Sequence, residues 1–270
     1  MFKLVAIDID GTLLADDGSI SERNKAAVNQ ATLRTQVVLC TGRGYLSGRS
    51  ILDLFSSPLS FISNNGAVIL HHQHGIIHQA ALPDDVLEAV VHFCRRENLR
   101  FGCNTLDNIY VERRFKGIAE DYRKFYVVPT AVDDILAEDL KIVKISIASN
   151  PDKARTAYRH LLKSIGQRAS VTQGGPGYVD ITAESVNKAT ALRKLAAIAH
   201  IRPSEIIAMG NYYNDMEMIK MAGLGVAVGN APEDVKKTAD WVTLTNNEDG
   251  VAHALERFVL KNEGFVSGSG

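Results

Sequence analysis

Short apolar runs that end in polar or glycine-bearing clusters, with helical patterns between them, constrain this chain more than any other feature. Leu4 to Ile7 is one such run, "QVVLC" (36–40) a second and "LSFIS" (59–63) a third. A helical pattern over about 22–34, with Ser21 placed to cap it, separates the first two, and "YLSGRSILDLF" (45–55) separates the next pair. Continuous β-branched runs divided by helices predict a parallel sheet covered on both faces, a doubly wound α/β core. The last third repeats the alternation. "KATALRKLAAIAH" is a helix, "EIIAMG" a strand, "DMEMIKMA" a helix and "GVAVG" a strand, followed by "PEDVKKTA", "WVTL" and a final amphipathic helix, "GVAHALERFVL".

The middle of the chain reads differently. After Pro83, "DDVLEAVVHFCRRE" carries acidic residues at its start and basic ones at its end, as a helix dipole prefers. "LRFGCN" and "IYVER" follow as strands joined through a hairpin-like "TLDN"; then come a strand in "LKIVKISIA", a helix in "PDKARTAYRHLLKSIG", and strands "ASVTQ" and "YVDITA" around "GGPG". The pattern, helix then hairpin twice over, predicts an inserted α+β module over 83–186. It leaves 1–82 and 187–270 to the core, with short hinges near Leu82–Pro83 and Ser185–Lys188.

Composition removes several function classes. A chain of 270 residues with 46% hydrophobic and 23% charged residues has material for a real core. A net charge of −1 gives no basic field for nucleic acid and no attraction to a membrane surface. No run approaches the roughly 18 apolar residues of a spanning helix, and the N-terminus enters a strand with no signal-peptide pattern before it. Cys40, Cys94 and Cys103 lie far apart without metal-ligand spacing, and fit reduced thiols in a cytoplasm. Oligomeric state is not readable from this sequence.

The chemistry gathers where the strands end. In an open parallel sheet, ligands bind at the carboxyl edge. Strand one ends in "DIDGT", strand two in "TGR" (41–43), strand three in "SNNGA" (63–67) and a later strand in "GNYYND" (210–215), while Lys188 opens a helix returning to the core. These residues suit phosphoryl transfer assisted by Mg2+, a hard ion that takes carboxylate oxygens, waters and phosphate oxygens. Asp8 can be ligand and nucleophile, since a carboxylate attacks phosphorus to form an aspartyl phosphate. Asp10, just past the strand, is placed to be an acid for the leaving oxygen and then a base for water. Gly11 allows close backbone approach; Thr41 and the Gly42 N–H, with Arg43 beside them, can cradle a phosphate, and Lys188 can neutralise developing charge.

With those motifs in place, the chain resembles the haloacid dehalogenase superfamily, and within it the Cof-type phosphatases, over essentially its whole length. The matching stretches are "DIDGTLL" (8–14), "TGR" (41–43), "SNNGA" (63–67), "NKA" (187–189) and "GNYYNDMEMI…AG…GVAVGNA" (210–231). The resemblance implies a Rossmann-like core with an inserted cap, Mg2+ dependence and hydrolysis of small phosphorylated metabolites, such as a sugar phosphate or a phosphorylated cofactor or precursor. It implies Asp8 as nucleophile, Asp10 as acid/base, Thr41 and Lys188 as phosphate binders and Asp215 as metal ligand. Asn214 would then orient the metal site or Lys188, and Asn65 would lie near substrate. The metal set becomes Asp8, Asp10, Asn211 and Asp215. Asn211 stands where the family usually has Asp, and Ala189 where it usually has Gly. An amide oxygen still coordinates Mg2+, but one formal charge is gone. Alternatives are a phosphosugar mutase and a catalytically weak sensor of phosphometabolites.

Other features read as structural. Asp16, Asp17 and Gly18 form a surface turn. "HHQH" (71–74) is an exposed hairpin loop in preference to a transition-metal site. "ERRFK" (112–116) is a solvated basic face or a greeting for an anionic substrate, Trp241 belongs to the core, and "NEGFVSGSG" is a frayed tail.

Overall fold

The computed structural model describes residues 1–260 apart from 116, 119–121, 123–126 and 176. The first segment runs β1 (Leu4–Asp8), α1 (Glu22–Thr32), β2 (Gln36–Cys40), α2 (Tyr45–Leu52), β3 (Ser60–Ser63), β4 (Val68–His71) and β5 (Gly75–Gln79). The middle runs α3 (Asp84–Arg96), β6 (Arg100–Asn104), β7 (Ile109–Glu112), β8 (Thr130–Val132), β9 (Lys144–Ala148), α4 (Pro151–Ile165), β10 (Ala169–Gly175) and β11 (Tyr178–Ala183). The return runs α5 (Lys188–Ile198), β12 (Ile206–Gly210), α6 (Met216–Met221), β13 (Leu224–Ala227), α7 (Glu233–Lys236), β14 (Trp241–Val242) and α8 (Gly250–Leu255).

The outer segments make one eight-stranded sheet in the order β14-β13-β12-β1-β2-β3-β4-β5. The pairs from β14 to β3 are parallel, and β4 and β5 extend the edge antiparallel. Alternation along the central strands explains why both faces are covered. Val5, Ile7, Val37 and Leu39 pack on one side with Ala27, Val28 and Ala31 of α1 and Val251, Ala252 and Leu255 of α8. Leu4, Ala6, Val38 and Cys40 pack on the other with Leu192 and Leu195 of α5 and Met218 of α6. Each of the valines, leucines, isoleucine and methionine among them, fully buried, stabilises the fold by roughly 1.5–3 kcal/mol. Ser21 caps α1 as expected, its hydroxyl accepting from the Asn24 N–H.

The middle segment makes its own six-stranded sheet, β10-β11-β9-β6-β7-β8. One face packs on helices: Phe101, Cys103, Ile145, Ile147, Val179 and Ile181 meet α3 and α4. The alternate residues, Arg100, Lys144, Ser146 and Asp180 among them, line a cavity shared with the carboxyl edge of the first sheet. The sequence reading lacked β8, which pairs in parallel with β7.

The structure refines several of the smaller readings. The "HHQH" hairpin is present, but His71 is the last residue of β4 and is buried, so only the rest of that stretch forms the loop. The correction follows from pairing, since His71 sits opposite Gly75. Its ring stacks on those of His72 and His74 with centroids 4.5 and 4.6 Å apart. In "ERRFK", Glu112 is fully buried and pairs with Arg95 and Arg114, while Arg113 pairs with Asp133. Those charges are satisfied within the module; Lys116 lies outside the described residues, as does the tail from 261. Asp16 does more than turn the chain: its carboxylate accepts from Asn246 and Asn247. Trp241 is half-buried, edge-on to Phe258. All three cysteines are buried, Cys40 in the first sheet and Cys94 and Cys103 in the module. No helix among the described residues is long and apolar enough to cross a membrane.

Candidate active site

β1 ends at the centre of the carboxyl edge, so its last residue is delivered into the interior of the site. Asp8 is 3% exposed. One carboxylate oxygen accepts from Lys188 Nζ at 2.6 Å and the other from the Thr12 hydroxyl at 2.7 Å. Thr12 reaches back because the chain turns tightly after Ile9, whose carbonyl accepts from the Leu13 and Leu14 N–H groups. Gly11 makes that turn at φ +74°, and a Cβ there would fall 2.3 Å from the Asn211 amide nitrogen. Glycine suits the left-handed backbone, and its missing Cβ leaves the space that the Asn211 amide occupies.

Lys188 opens α5, behind a capping box of Asn187 and Thr190 that fixes where the helix begins. Its ammonium lies between Asp8 and Asp215, 2.6 Å from each, with the lysine 1% exposed. Asp215 enters from the turn after β12, where its second oxygen accepts from the Asn211 and Tyr212 N–H groups at 3.0 and 3.1 Å. Burial, and then the Asp215 carboxylate, push the Asp8 carboxyl well above the usual range against the opposing pull of Lys188. Burial works against the charge on Lys188, but Asp215 and Asp8 outweigh it and hold the ammonium above its ordinary value. One ammonium thus faces two buried carboxyl groups at the end of β1 and the turn after β12.

Asp10 stands apart from this cluster. Its side chain is about half exposed and paired with Arg43 at 2.6 Å. Arg43 follows Thr41 and Gly42 at the end of β2, where the buried Thr41 hydroxyl accepts from the Arg43 N–H. Thr41 also accepts the Asn65 N–H at its carbonyl, and Asn64 donates to the Arg43 carbonyl, so the loops after β2 and β3 lie side by side. Asn64 and Asn65 reach this geometry with left-handed backbones, φ 51° and 55°. Asn65 and Asn214 are brought together, the Asn214 amide donating to Asn65 at 3.1 Å. Asn214 therefore orients Asn65, and no hydrogen bond is formed with Lys188.

The cavity above these groups measures about 620 Å3 and is lined by Asp8, Asp10 and Arg43 from the first sheet and by Lys144, Ser146 and Asp180 from the second. The sequence reading missed Thr12, Lys144 and Asp180 as members of the site. The signal for the last two was available: Lys144 and Ser146 alternate with isoleucines in "KISIA", and Asp180 sits between Val179 and Ile181 in "YVDITA".

The donor set at the β1 and β12 ends fits a hard divalent cation. It is all oxygen, it is under-neutralised, and the missing side chain of Gly11 leaves room for the Asn211 amide. Among the described residues no three acidic, histidine or cysteine side chains already converge as a ligand cluster. The separate pairings account for this, Lys188 lying between Asp8 and Asp215 while Asp10 engages Arg43.

Comparison with known proteins points the same way as the geometry. A family model described as haloacid dehalogenase-like hydrolase matches residues 5–255. The 5-amino-6-(5-phospho-D-ribitylamino)uracil phosphatase YcsE of Bacillus subtilis is 30% identical over 259 residues, covering 96% of either chain. A solved haloacid dehalogenase-like hydrolase from B. subtilis superposes with TM-score 0.86 at 27% identity, over 95% of this chain and all of the other. A sugar phosphatase of subclass IIB superposes with TM-score 0.82 at 25% identity, covering 95% of this chain and 98% of its own.

Proposed function

Because the chain belongs to the haloacid dehalogenase-like hydrolase family, we propose a division of labour among its residues in the hydrolysis of phosphoric monoesters. Asp8 is the nucleophile. Lys188 and Thr12 each hold one of its oxygens, which fixes the carboxylate at the end of β1 and leaves its remaining lone pairs toward the cavity. Thr41, Gly42 and Arg43 cradle the phosphoryl group, and Arg43 exchanges the Asp10 carboxylate for phosphate oxygens when substrate enters. Asp10, released, protonates the leaving oxygen and then takes a proton from the water that cleaves the aspartyl phosphate. Lys188 offsets charge that grows on the equatorial oxygens.

Asp8, Asp215 and the Asn211 amide, with Asp10 nearby, would hold Mg2+, which would supply charge neutralisation for the phosphate. The 83–186 module is the cap that closes over the leaving group and carries substrate choice. The substrate is a small phosphorylated metabolite, a sugar phosphate or a phosphorylated cofactor or precursor. Relatives support this range: one is named for a phosphoribitylamino-uracil and a structural neighbour for sugar phosphates. The proposed location is the cytoplasm.

The observation that carries this reading is the lysine ammonium shared by two buried carboxylates, one of which, Asp8, lines the cavity. Turnover of a metabolite panel with and without Mg2+ tests it. Release of phosphate from at least one member, lost with EDTA, is expected; metal-independent hydrolysis, or none across the panel, would overturn it.

A further inference from the structure

We infer that Lys144 and Asp180 form a latch by which the module, when docked, sets the shape of the phosphate-binding loop. They are positioning residues, and the inference goes beyond the assignments above, resting on them only for its kinetic consequence. Lys144 lies on β9 and Asp180 on β11, both pointing toward the first sheet, with their charged groups 3.2 Å apart. As a pair within one sheet they would be unremarkable. Each, however, also bonds across the gap between the sheets.

The Lys144 ammonium donates to the Gly42 carbonyl at 2.6 Å. Asp180 accepts from the Asn65 amide at 2.7 Å through one oxygen and from Ser146 at 2.7 Å through the other. Asn65 in turn accepts from Asn214, next to Asp215. A continuous set of bonds thus runs from the Asp215 turn, through Asn65, Asp180 and Lys144, to the loop holding Thr41, Gly42 and Arg43. A third crossing bond, from Asn104 of β6 to Asn64 at 2.8 Å, flanks them.

Burial gives the arrangement its direction. Lys144 is 5% and Asp180 6% exposed, and charges this deep are tolerable only when their bonding groups are satisfied. Part of that satisfaction comes from the other sheet, so undocking exposes the pair to water, which replaces the lost bonds. Docking exchanges hydration for the Gly42 and Asn65 bonds. That near-balance suits a contact made and broken in each cycle. The left-handed Asn64 and Asn65, followed by Gly66 at φ 106°, have a reason in this light: the turn aims two amides out of the first sheet at the second. The motif "SNNGA" then serves the latch first, and the phosphate through it.

The test uses the whole chain with Lys144→Met, and with Lys144→Met/Asp180→Asn so that no lone charge is buried. Amide exchange is followed at Asn64 and Asn65, whose N–H groups bond the Arg43 and Thr41 carbonyls. Exchange about tenfold faster at these two amides in both variants, with β1 and β12 unchanged, is expected. With para-nitrophenyl phosphate, kcat should fall about tenfold while KM stays within about threefold, and Lys144→Arg should recover most of it. Wild-type exchange at Asn64 and Asn65 in the folded double variant overturns the latch, as does uniform acceleration across the sheet. Should the wild-type protein hydrolyse no phosphomonoester, the proposed function fails, and the exchange result still decides the latch.

Discussion

The two sheets each bury a lysine beside carboxylates, and the comparison separates what is built in from what is assembled. Lys188 takes both partners, Asp8 and Asp215, from its own sheet. Lys144 takes one partner, Asp180, from its own sheet and the other, the Gly42 carbonyl, from across the cavity. The groups proposed to react are therefore held by bonds within the outer segments, whereas the groups proposed to shape the phosphate loop take part of their bonding from across the cavity. The strands show the same division. β1 and β12 are buried on both faces; β9 and β11 bury one face in their own core and turn the other toward the cavity.

The strongest way to break the comparison is at Asp8. Asp8→Asn should lower kcat by at least about a thousandfold, because the amide cannot form the covalent intermediate, while circular dichroism and the melting transition stay close to wild type. Substantial turnover in that variant would show that Asp8 is not the nucleophile. Next in size is Lys188→Met, which strands two buried carboxylates and should cost about 3–5 kcal/mol in urea unfolding measured in EDTA. A loss below 1 kcal/mol would mean that water reaches the pair and the site is not preorganised.

Much of the first sheet was legible because its information is local. A carboxylate, glycine or lysine at the end of an apolar run says where it goes, and Asp8, Thr41, Lys188 and Asp215 are brought to one edge. Asp10 was placed by the same reasoning, yet its pairing with Arg43 was not foreseen, because that contact joins loops 33 residues apart. The second sheet was legible as strands and helices but not as part of the site. Its contributions come one at a time from alternate strand positions, and only pairing across β6, β9 and β11 assembles Asn104, Lys144, Ser146 and Asp180 into a surface. β8 escaped because three residues, Thr130–Val132, are too few for a periodicity to show.

Smaller effects sharpen the division. Ala148 faces the cavity from β9. Ala148→Leu should reduce kcat/KM for the preferred metabolite by about thirtyfold, or ~2 kcal/mol, while leaving acetyl phosphate, which has almost no leaving group to seat, within about twofold. Equal losses for both would place substrate choice in the first sheet. The smallest effect concerns Asn211. Asn211→Asp adds a carboxylate near the metal, an attraction of order ~4 kcal/mol at an effective dielectric near 20. Repulsion with Asp8, Asp10 and Asp215 should cancel most of it, so calorimetric titration should show Mg2+ binding only about tenfold tighter, ~1.4 kcal/mol. Identical affinities would show that Asn211 is not a ligand.

The three buried cysteines turn this division into something a clock can read. Burial pushes each thiol upward and away from the reactive thiolate, so an alkylating reagent waits for the surrounding layer to part. Cys40 sits under α5, behind the site, while Cys94 and Cys103 sit between the second sheet and α3. A single protein thus carries its own labels for two separate openings, with no engineered probe. Modification of Cys94 and Cys103 ahead of Cys40 in mild denaturant would mean that the module loosens while the first sheet stays closed around Asp8 and Lys188.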